Sequence, residues 1–164
     1  MHRPSVAVFD RFLAALSSIL TKAEAHCEAR KIKPEVILAA RLFPDMLPLV
    51  KQVQLACDFA ARGTARLAGH EPKGFPDTET TFAELQTRIA AARGYMAGFQ
   101  PEDFAHAADR QITFKAGPGE MTLSGADFLA FYAQPQFFFH LTTAYDILRM
   151  QGVELGKRDY MGAP

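Results

Sequence analysis

Residues 6–27 read VAVFDRFLAALSSILTKAEAHC, and the apolar side chains of this segment recur at alternating intervals of three and four. That spacing places them on one face of an amphipathic helix. A mean period near 3.5 residues is typical of helices that keep one seam against their neighbours in a bundle. The segment therefore predicts a helix over about residues 5–30. The stripe consists of Val6, Phe9, Leu13, Leu16, Leu20, Ala23 and Cys27.

Three later segments of the chain repeat this pattern and predict three further helices. Their expected bounds are about 46–68, 81–97 and 125–151. Four amphipathic helices of similar length can bury their apolar stripes against one another. We therefore expect an all-α fold, a four-helix bundle that residues 1–164 form as a single domain.

Local signals mark several ends of these helices. Residues 81–84 read TFAE, in which a threonine and a glutamate three residues later form a capping box. Gly152 follows the last stripe and predicts a Schellman-type ending. Pro135 lies inside the last pattern, where a proline removes a backbone hydrogen bond and clashes with the preceding turn. It predicts a kink, or a break into helices 126–133 and 136–151.

The connection before the last helix contains a predicted β-hairpin at about residues 111–123. Two segments of alternating polarity flank the sequence Gly117-Pro118-Gly119, which has the composition of a turn. An isolated hairpin is marginally stable in water, so we expect this one to pack against the bundle. A short helix that begins at Pro101 precedes the hairpin, and residues 70–80 form a long loop between the second and third helices.

The composition excludes several classes of protein. The chain has 164 residues with 18 basic and 18 acidic side chains, and 49% of its residues are hydrophobic. Disordered chains have low hydrophobicity or high net charge, so this sequence predicts a folded domain. Balanced charge argues against a nucleic-acid-binding surface or a polybasic membrane face. No apolar run reaches the length of about 18 residues that a transmembrane helix requires. We expect neither nucleic acid nor a membrane as a partner.

The amino terminus imitates a secretory signal peptide, because Arg3 precedes an apolar run at residues 12–20. Asp10 and the amphipathic spacing favour a helix of the folded domain instead. Two cysteines do not form a disulfide framework, and both Cys27 and Cys57 lie on apolar stripes as small hydrophobic side chains. We therefore expect a cytoplasmic protein.

His140 is the histidine whose surroundings suggest a functional role. It lies within residues 137–141, FFFHL, the most apolar stretch of the chain. A buried imidazole needs a hydrogen-bond partner or a ligand, and the candidate partners are Asp45, Gln52 and Asp58. A buried Asp–His pair would be either a structural contact or a base poised near neutral pH. The remaining histidines occupy positions typical of solvated or locally bonded side chains: His2, His26, His70 and His106.

Longer segments of the sequence resemble a known family. They are residues 42–58, LFPDMLPLVKQVQLACD, and residues 138–149, FFHLTTAYDILR, together with GVELGKRDY at 152–160. The resemblance spans nearly the whole chain, and the carboxy-terminal run is its most specific part. The family is a bacterial one catalogued as domain of unknown function 1993, of uncharacterised activity, within the DinB/YfiT-like superfamily of four-helix bundles. This resemblance implies a DinB-like bundle and a homodimer.

The resemblance also raises the question of a metal. In the wider superfamily three histidines hold a divalent metal, one on the second helix and two spaced four apart on the last helix. Only His140 matches this set, because Gln136 and Ala144 stand four residues to either side of it. The second helix has no histidine, and Gln52 and Asp58 are its nearest polar substitutes. Zinc and nickel prefer imidazole or thiolate to amide oxygen, so we do not expect an intact three-histidine site.

Three hypotheses about function stay open at the level of sequence. In the first, the bundle binds a small molecule or a partner helix in a cleft near His140, and further candidate ligand-binding residues are Asp58, Gln52, Gln136 and Tyr145. In the second, which the resemblance implies, the protein is a transferase or isomerase that depends on a low-molecular-weight thiol or on a zinc or nickel ion. In the third, it is a dimeric structural or interaction module with an apolar interface.

Overall fold

The computed structural model describes residues 1–162, and most of them lie in helices. Four long helical segments form the bundle, and the fourth of these consists of three consecutive parts. Shorter helices lie between the long ones and after them. The bounds in chain order are a π-helical segment Arg3–Ala7, α1 Val8–Arg30, α2 Pro34–Leu38, α3 Leu49–Ala68, α4 Phe82–Ala97, a 3-10 turn Pro101–Phe104, α5 Gly125–Phe128, a π-helical segment Leu129–Ala133, α6 Gln134–Met150 and α7 Lys157–Met161.

The predicted all-α four-helix bundle is confirmed. Its helices neighbour one another in the order α1, α4, α3 and α6, so that α1 and α3 lie across the core from each other. The apolar stripes meet in the centre, where Phe9 and Leu13 of α1 and Phe137 of α6 are fully buried. Each such side chain contributes about 1.5–3 kcal/mol relative to an exposed one. Among residues 1–162, no helix combines the length and the apolar content needed to cross a membrane.

Two predicted helix ends are confirmed by hydrogen bonds. At the start of α4, the Glu84 backbone N–H donates to Thr81 Oγ1, and the Glu84 carboxylate accepts from the Thr81 backbone N–H. At the end of α6, the Val153 N–H donates to the Leu148 carbonyl oxygen, which is the long-range bond of a Schellman motif. Gly152 precedes Val153 with a φ of 84°, a conformation that favours glycine.

The start of α3 differs from the prediction, whereas the last bundle helix agrees with its predicted bounds of about 125–151. Helix α3 begins at Leu49 rather than near residue 46, because Pro48 before it has an extended backbone. The last bundle helix does not break at Pro135, but runs from residue 125 to 150. Its π-helical segment Leu129–Ala133 immediately precedes α6, and Pro135 lies in the first turn of α6, where a missing N–H is tolerated.

The predicted hairpin is confirmed and packs on the bundle. Strands β1 Gln111–Ala116 and β2 Gly119–Ser124 pair in antiparallel orientation. Phe114 of β1 is buried, and its ring centroid lies 5.0 Å from that of Phe128 and 4.3 Å from that of Tyr132. The inner face of β1 is therefore held against the π-helical part of the last bundle helix.

The residues after α6 fold back onto α1 through the short helix α7. The Tyr160 ring packs against Phe12 with centroids 5.7 Å apart, and its hydroxyl lies 2.8 Å from Thr142 Oγ1. Lys22 Nζ and Asp159 Oδ1 form an ion pair of 2.6 Å. The sequence patterns did not predict α7, because five residues are too few for a periodic signal.

Candidate functional site

His140 and Gln52 form a buried polar contact between two bundle helices. His140 lies on α6 and Gln52 on α3, and His140 Nδ1 is 2.8 Å from Gln52 Oε1. Gln52 Nε2 donates to the Leu47 carbonyl oxygen at 3.0 Å, which orients Oε1 toward the imidazole. The hydrogen-bond network therefore assigns the proton to Nδ1 and the lone pair to Nε2. Of the three partners that the sequence suggested for His140, the structure selects Gln52.

His140 is neutral at physiological pH. Only 7% of the residue is exposed, and burial lowers the pKa of its imidazole to about 4. The Phe59 ring stacks on it with centroids 5.5 Å apart and an angle of 8° between the planes. A protonated imidazole would lose hydration here without gaining a carboxylate partner. The position suits a structural contact or a hydrogen-bond acceptor, and it does not supply a base poised near neutral pH.

Asp58 belongs to a second buried group, centred on Arg88 of α4. Arg88 is 3% exposed, and its Nη2 lies 2.5 Å from Asp58 Oδ1 while its Nη1 lies 3.0 Å from Glu79 Oε1. Asp77 Oδ1 lies 3.3 Å from Nη2. Burial alone would lower the pKa of Arg88, but the Asp58 and Glu79 carboxylates raise it. We call these four residues the Arg88 cluster; it ties the loop at residues 70–80 to α3 and α4.

The other carboxylate oxygen of Asp58 contacts a second arginine. Asp58 Oδ2 lies 2.8 Å from Nη2 of Arg62, one turn further along α3. Burial raises the pKa of Asp58, and the Arg62 and Arg88 charges oppose that rise. Because both oxygens of Asp58 are bonded to arginines, the structure does not form the Asp–His pair that the sequence left open.

A cavity of about 160 Å³ lies beside Asp58. We call it the hairpin cavity, because α3, β1, the end of α5 and the π-helical segment Leu129–Ala133 form its walls. Single π-helical turns occur frequently at functional sites. The apolar side of the cavity is formed by four aromatic rings, those of Phe59, Phe114, Phe128 and Tyr132.

Three basic residues line the hairpin cavity: Arg62, Arg66 and Lys115. Arg62 is paired with Asp58, and Lys115 is exposed. Arg66 is half-buried, and it makes no ion pair with any residue between positions 1 and 162. Burial and the neighbouring Arg62 charge lower the pKa of Arg66, Tyr132 and the Glu71 carboxylate oppose that fall, and a guanidinium stays protonated in proteins. Glu71 is exposed and forms no ion pair with Arg66, so the cavity contains one half-buried positive charge that no carboxylate within residues 1–162 contacts directly.

Comparison with known proteins identifies the family. The family described as "Domain of unknown function (DUF1993)" matches residues 1–161. The chain belongs to the DUF1993 family. It is also similar to a DinB family member protein from Shewanella denitrificans, whose crystal structure superposes with a TM-score of 0.93 at 44% identity. That similarity covers 99% of this chain and 92% of the other. No curated protein matches the chain.

The structural similarity confirms a DinB-like bundle for this DUF1993 protein. The residues around His140 in this chain do not fit a three-histidine metal site. His140 Nδ1 is bonded to Gln52, and Gln136 and Ala144 occupy the positions one turn away on α6. In the part of the chain that the structure describes, no three His, Cys, Asp or Glu side chains come together as metal ligands. An amide oxygen is a poor substitute ligand for zinc or nickel. We therefore derive no metal-dependent step.

None of the remaining candidates from the DUF1993 sequence forms a hydrogen bond with His140 within residues 1–162. Tyr145 packs against Tyr160, with ring centroids 5.6 Å apart. Asp45 is exposed in the connection before α3. Gln136 is half-buried on α6, and no hydrogen bond joins it to His140 within residues 1–162. Of the predicted site residues, only Gln52 and His140 contact each other, and only Asp58 reaches the cavity.

The polar residues of the hairpin cavity that the sequence did not single out are Arg62, Arg66, Lys115 and Tyr132. One signal was present, because Asp58, Arg62 and Arg66 recur at intervals of four and therefore share a face of α3. Lys115 and Tyr132 reach the cavity only because the hairpin folds back onto the last bundle helix.

Proposed function

We propose that this DUF1993 protein binds a small organic anion in the hairpin cavity. The observation that carries the proposal is Arg66, a half-buried cation at the cavity that has no carboxylate partner within residues 1–162. Guanidinium groups donate strong, directional hydrogen bonds to carboxylates and related oxyanions. Phe59 lines the cavity and also stacks on His140, so the site adjoins the residue to which the sequence pointed.

The size and the walls of the cavity indicate the body of the ligand. Its volume of about 160 Å³ is close to the roughly 150 Å³ of an engineered protein cavity that binds benzene. The four aromatic rings favour a flat apolar group, because aromatic pairs gain from stacked or edge-to-face contact. A single aromatic ring that carries one carboxylate could pack against these four rings and pair with the Arg66 guanidinium. Benzoate is therefore a suitable probe of the ligand class.

We expect benzoate to bind the wild-type protein and the substitution Arg66→Gln to raise the Kd by at least about tenfold. Hydrogen bonds to charged groups contribute about 1.5–3 kcal/mol, and about 1.4 kcal/mol is a factor of ten in affinity. Isothermal titration calorimetry measures both Kd values. Glutamine is a good helix former, so α3 should stay intact in this variant.

Arg30→Gln provides a matched control, because Arg30 is exposed at the end of α1 and does not line the cavity. This variant should bind benzoate as the wild-type protein does. Benzyl alcohol, a neutral molecule of similar size, should bind the wild-type protein far more weakly than benzoate. Failure of the wild-type protein to bind benzoate, or equal Kd values for wild type and Arg66→Gln, contradicts the proposal.

We further propose that the protein forms a homodimer through the outer face of its last bundle helix. Phe131 is 75% exposed and Phe139 is 56% exposed, and Pro135 between them is also exposed. Residues spaced by four lie next to each other on a helix surface, so the three form one apolar row. Exposed apolar surface of this kind marks interaction sites. Two-fold symmetry would place the row of one copy against the same row of a second copy.

Substitution of Phe139 by glutamate should raise the Kd of this dimer by at least about tenfold, because it places a charge within an apolar contact. Size-exclusion chromatography with light scattering over a range of concentrations measures the change. Met121→Glu is the control, since Met121 is an exposed apolar residue on the hairpin rather than on the row. A monomeric wild-type protein at micromolar concentration is the result that rejects this proposal.

We also propose that the protein acts in the cytoplasm. Cys27 and Cys57 are free and buried, and such unpaired cysteines are typical of proteins from reducing compartments. Burial raises the pKa of the Cys57 thiol to about 12, so it stays protonated and unreactive. Both cysteines therefore act as small apolar side chains, which favours the binding function over thiol chemistry carried out by the chain itself.

A further inference from the structure

Asp58 is shared between the hairpin cavity and the Arg88 cluster. It lines the cavity, and its Oδ2 is 2.8 Å from Nη2 of Arg62, which lines the cavity as well. Its Oδ1 is bonded to the buried Arg88. Because both oxygens are anchored, the carboxylate cannot turn away from the cavity. Its negative charge is therefore a fixed part of the cavity wall.

The charges around Asp58 are balanced by ion pairs, whereas Arg66 forms no ion pair within residues 1–162, and the Glu71 carboxylate that acts on it is exposed to solvent. The network of ion pairs around Asp58 contains three cations and three carboxylates, so the protein itself already neutralises the charge of Arg62. Arg66 is the half-buried cation that is left for a ligand, and Lys115 at the edge of the cavity is exposed and screened by solvent. The ion pairs of the network are Arg62–Asp58, Arg88–Asp58, Arg88–Glu79, Arg88–Asp77 and Lys51–Asp77.

We propose that Asp58 makes the hairpin cavity selective for singly charged anions over doubly charged ones. This inference rests on the proposed function and adds the charge of the ligand to it. The first negative charge of a ligand pairs with Arg66. A second charge finds no available half-buried cation among the residues that line the cavity, because Asp58 already neutralises Arg62 there. Carboxylates and sulfate esters are the expected ligands, and phosphate monoester dianions are rejected.

Phenyl sulfate and phenyl phosphate test this selectivity, because they have nearly the same shape and differ in charge. At pH 8 a phosphate monoester is almost entirely a dianion, since its second pKa is about 6. Competition against benzoate in calorimetric titrations gives the Kd of each ester. The wild-type protein should prefer phenyl sulfate by at least about tenfold. The substitution Asp58→Asn should reduce that preference to less than about threefold, because it frees Arg62 to pair with the second charge of the ligand.

A second variant keeps the test independent of the folding of Asp58→Asn. The asparagine of that variant would retain a side-chain oxygen that can accept from Arg88, but the Arg88 cluster would lose one charge. Arg62→Gln leaves the contact between Asp58 and Arg88 in place. It should keep the preference for phenyl sulfate at no less than about tenfold, because it adds no cation with which a second charge of the ligand could pair. Asp58→Asn loses this preference and Arg62→Gln keeps it, so the two variants separate the release of Arg62 from a general disturbance of the cavity.

The outcomes separate the two proposals. If the wild-type protein does not bind benzoate, both the proposed function and this inference fail. If benzoate binds but the two esters compete equally, or neither competes, only the selectivity fails. The same holds if Asp58→Asn folds and keeps the wild-type preference, or if Arg62→Gln loses the preference for phenyl sulfate.

Discussion

Replacing Arg88 by methionine should lower the free energy of unfolding by about 3–5 kcal/mol, the usual cost of removing one partner of a buried ion pair. Arg88 is 3% exposed and donates to Asp58 and Glu79. Methionine fills most of the space of the arginine stem, but it leaves these carboxylates without their shared cation. Part of the loss should appear as loosening of the loop at residues 70–80, because the Pro76 carbonyl oxygen also accepts from Arg88 at 2.9 Å.

The measurement is urea unfolding at pH 7.5, and Arg93→Met on the same helix is the matched control. Arg93 pairs with Asp10 at 2.7 Å, but both side chains are largely solvent-accessible, at 39% and 43% exposure. Exposed ion pairs contribute about 0–1 kcal/mol, so this variant should be almost as stable as the wild-type protein. If the free energy of unfolding falls by a similarly small amount in both variants, the Arg88 cluster does not stabilise the fold.

The stability of the protein should fall between pH 7.5 and pH 5, and His140 should account for about 2 kcal/mol of that fall. Burial lowers the pKa of His140 to about 4 in the folded state, whereas an unfolded histidine has a pKa near 6.5. Below pH 6.5 the unfolded chain binds a proton that the folded protein does not. The free energy of unfolding therefore decreases as the pH falls from 6.5 toward about 4, and it does not respond to His140 above that window.

The variant His140→Gln isolates this effect, because glutamine stays neutral and can still bond to Gln52. Urea unfolding at pH 7.5 and pH 5 gives the pH-dependent loss for each protein. Titration of the carboxylates contributes to both losses, so their difference reports His140. The loss should be smaller by about 2 kcal/mol in His140→Gln. An equal loss in the two proteins would mean that the folded protein accepts the proton on His140 near its ordinary pKa.

The helices and several of their ends could be predicted because each depends on residues close together in the chain. The stripe at residues 6–27 spans only the helix that it describes, and the capping box at residues 81–84 and Gly152 each act within about one turn. The π-helical segment Leu129–Ala133 was not predicted. It lies where the hairpin presses against the last bundle helix, a contact that no local pattern contains.

The site was predictable only as a set of polar residues in apolar surroundings. His140 and Asp58 were identified in this way, but their partners could not be assigned, because Arg88 lies 30 residues from Asp58 and Gln52 lies 88 residues from His140. The recurrence of Asp58, Arg62 and Arg66 on one helix face is equally typical of an exposed row of ion pairs. The position of the hairpin distinguishes a cavity wall from an exposed row of ion pairs, since the hairpin covers this face of α3 and partly buries Arg66.

The sequence by itself therefore determined the all-α bundle and showed which residues stand where the superfamily has its three histidines, because helix periodicity and residue identity at fixed spacings are properties of the chain. The tertiary structure decided which carboxylate neutralises which cation. Ion pairing depends on distances of a few ångströms between side chains from different helices, and burial determines the electrostatic interaction energy of each pair. That is why the ligand site that we propose is centred on Arg66, beside the position of His140 to which the sequence pointed.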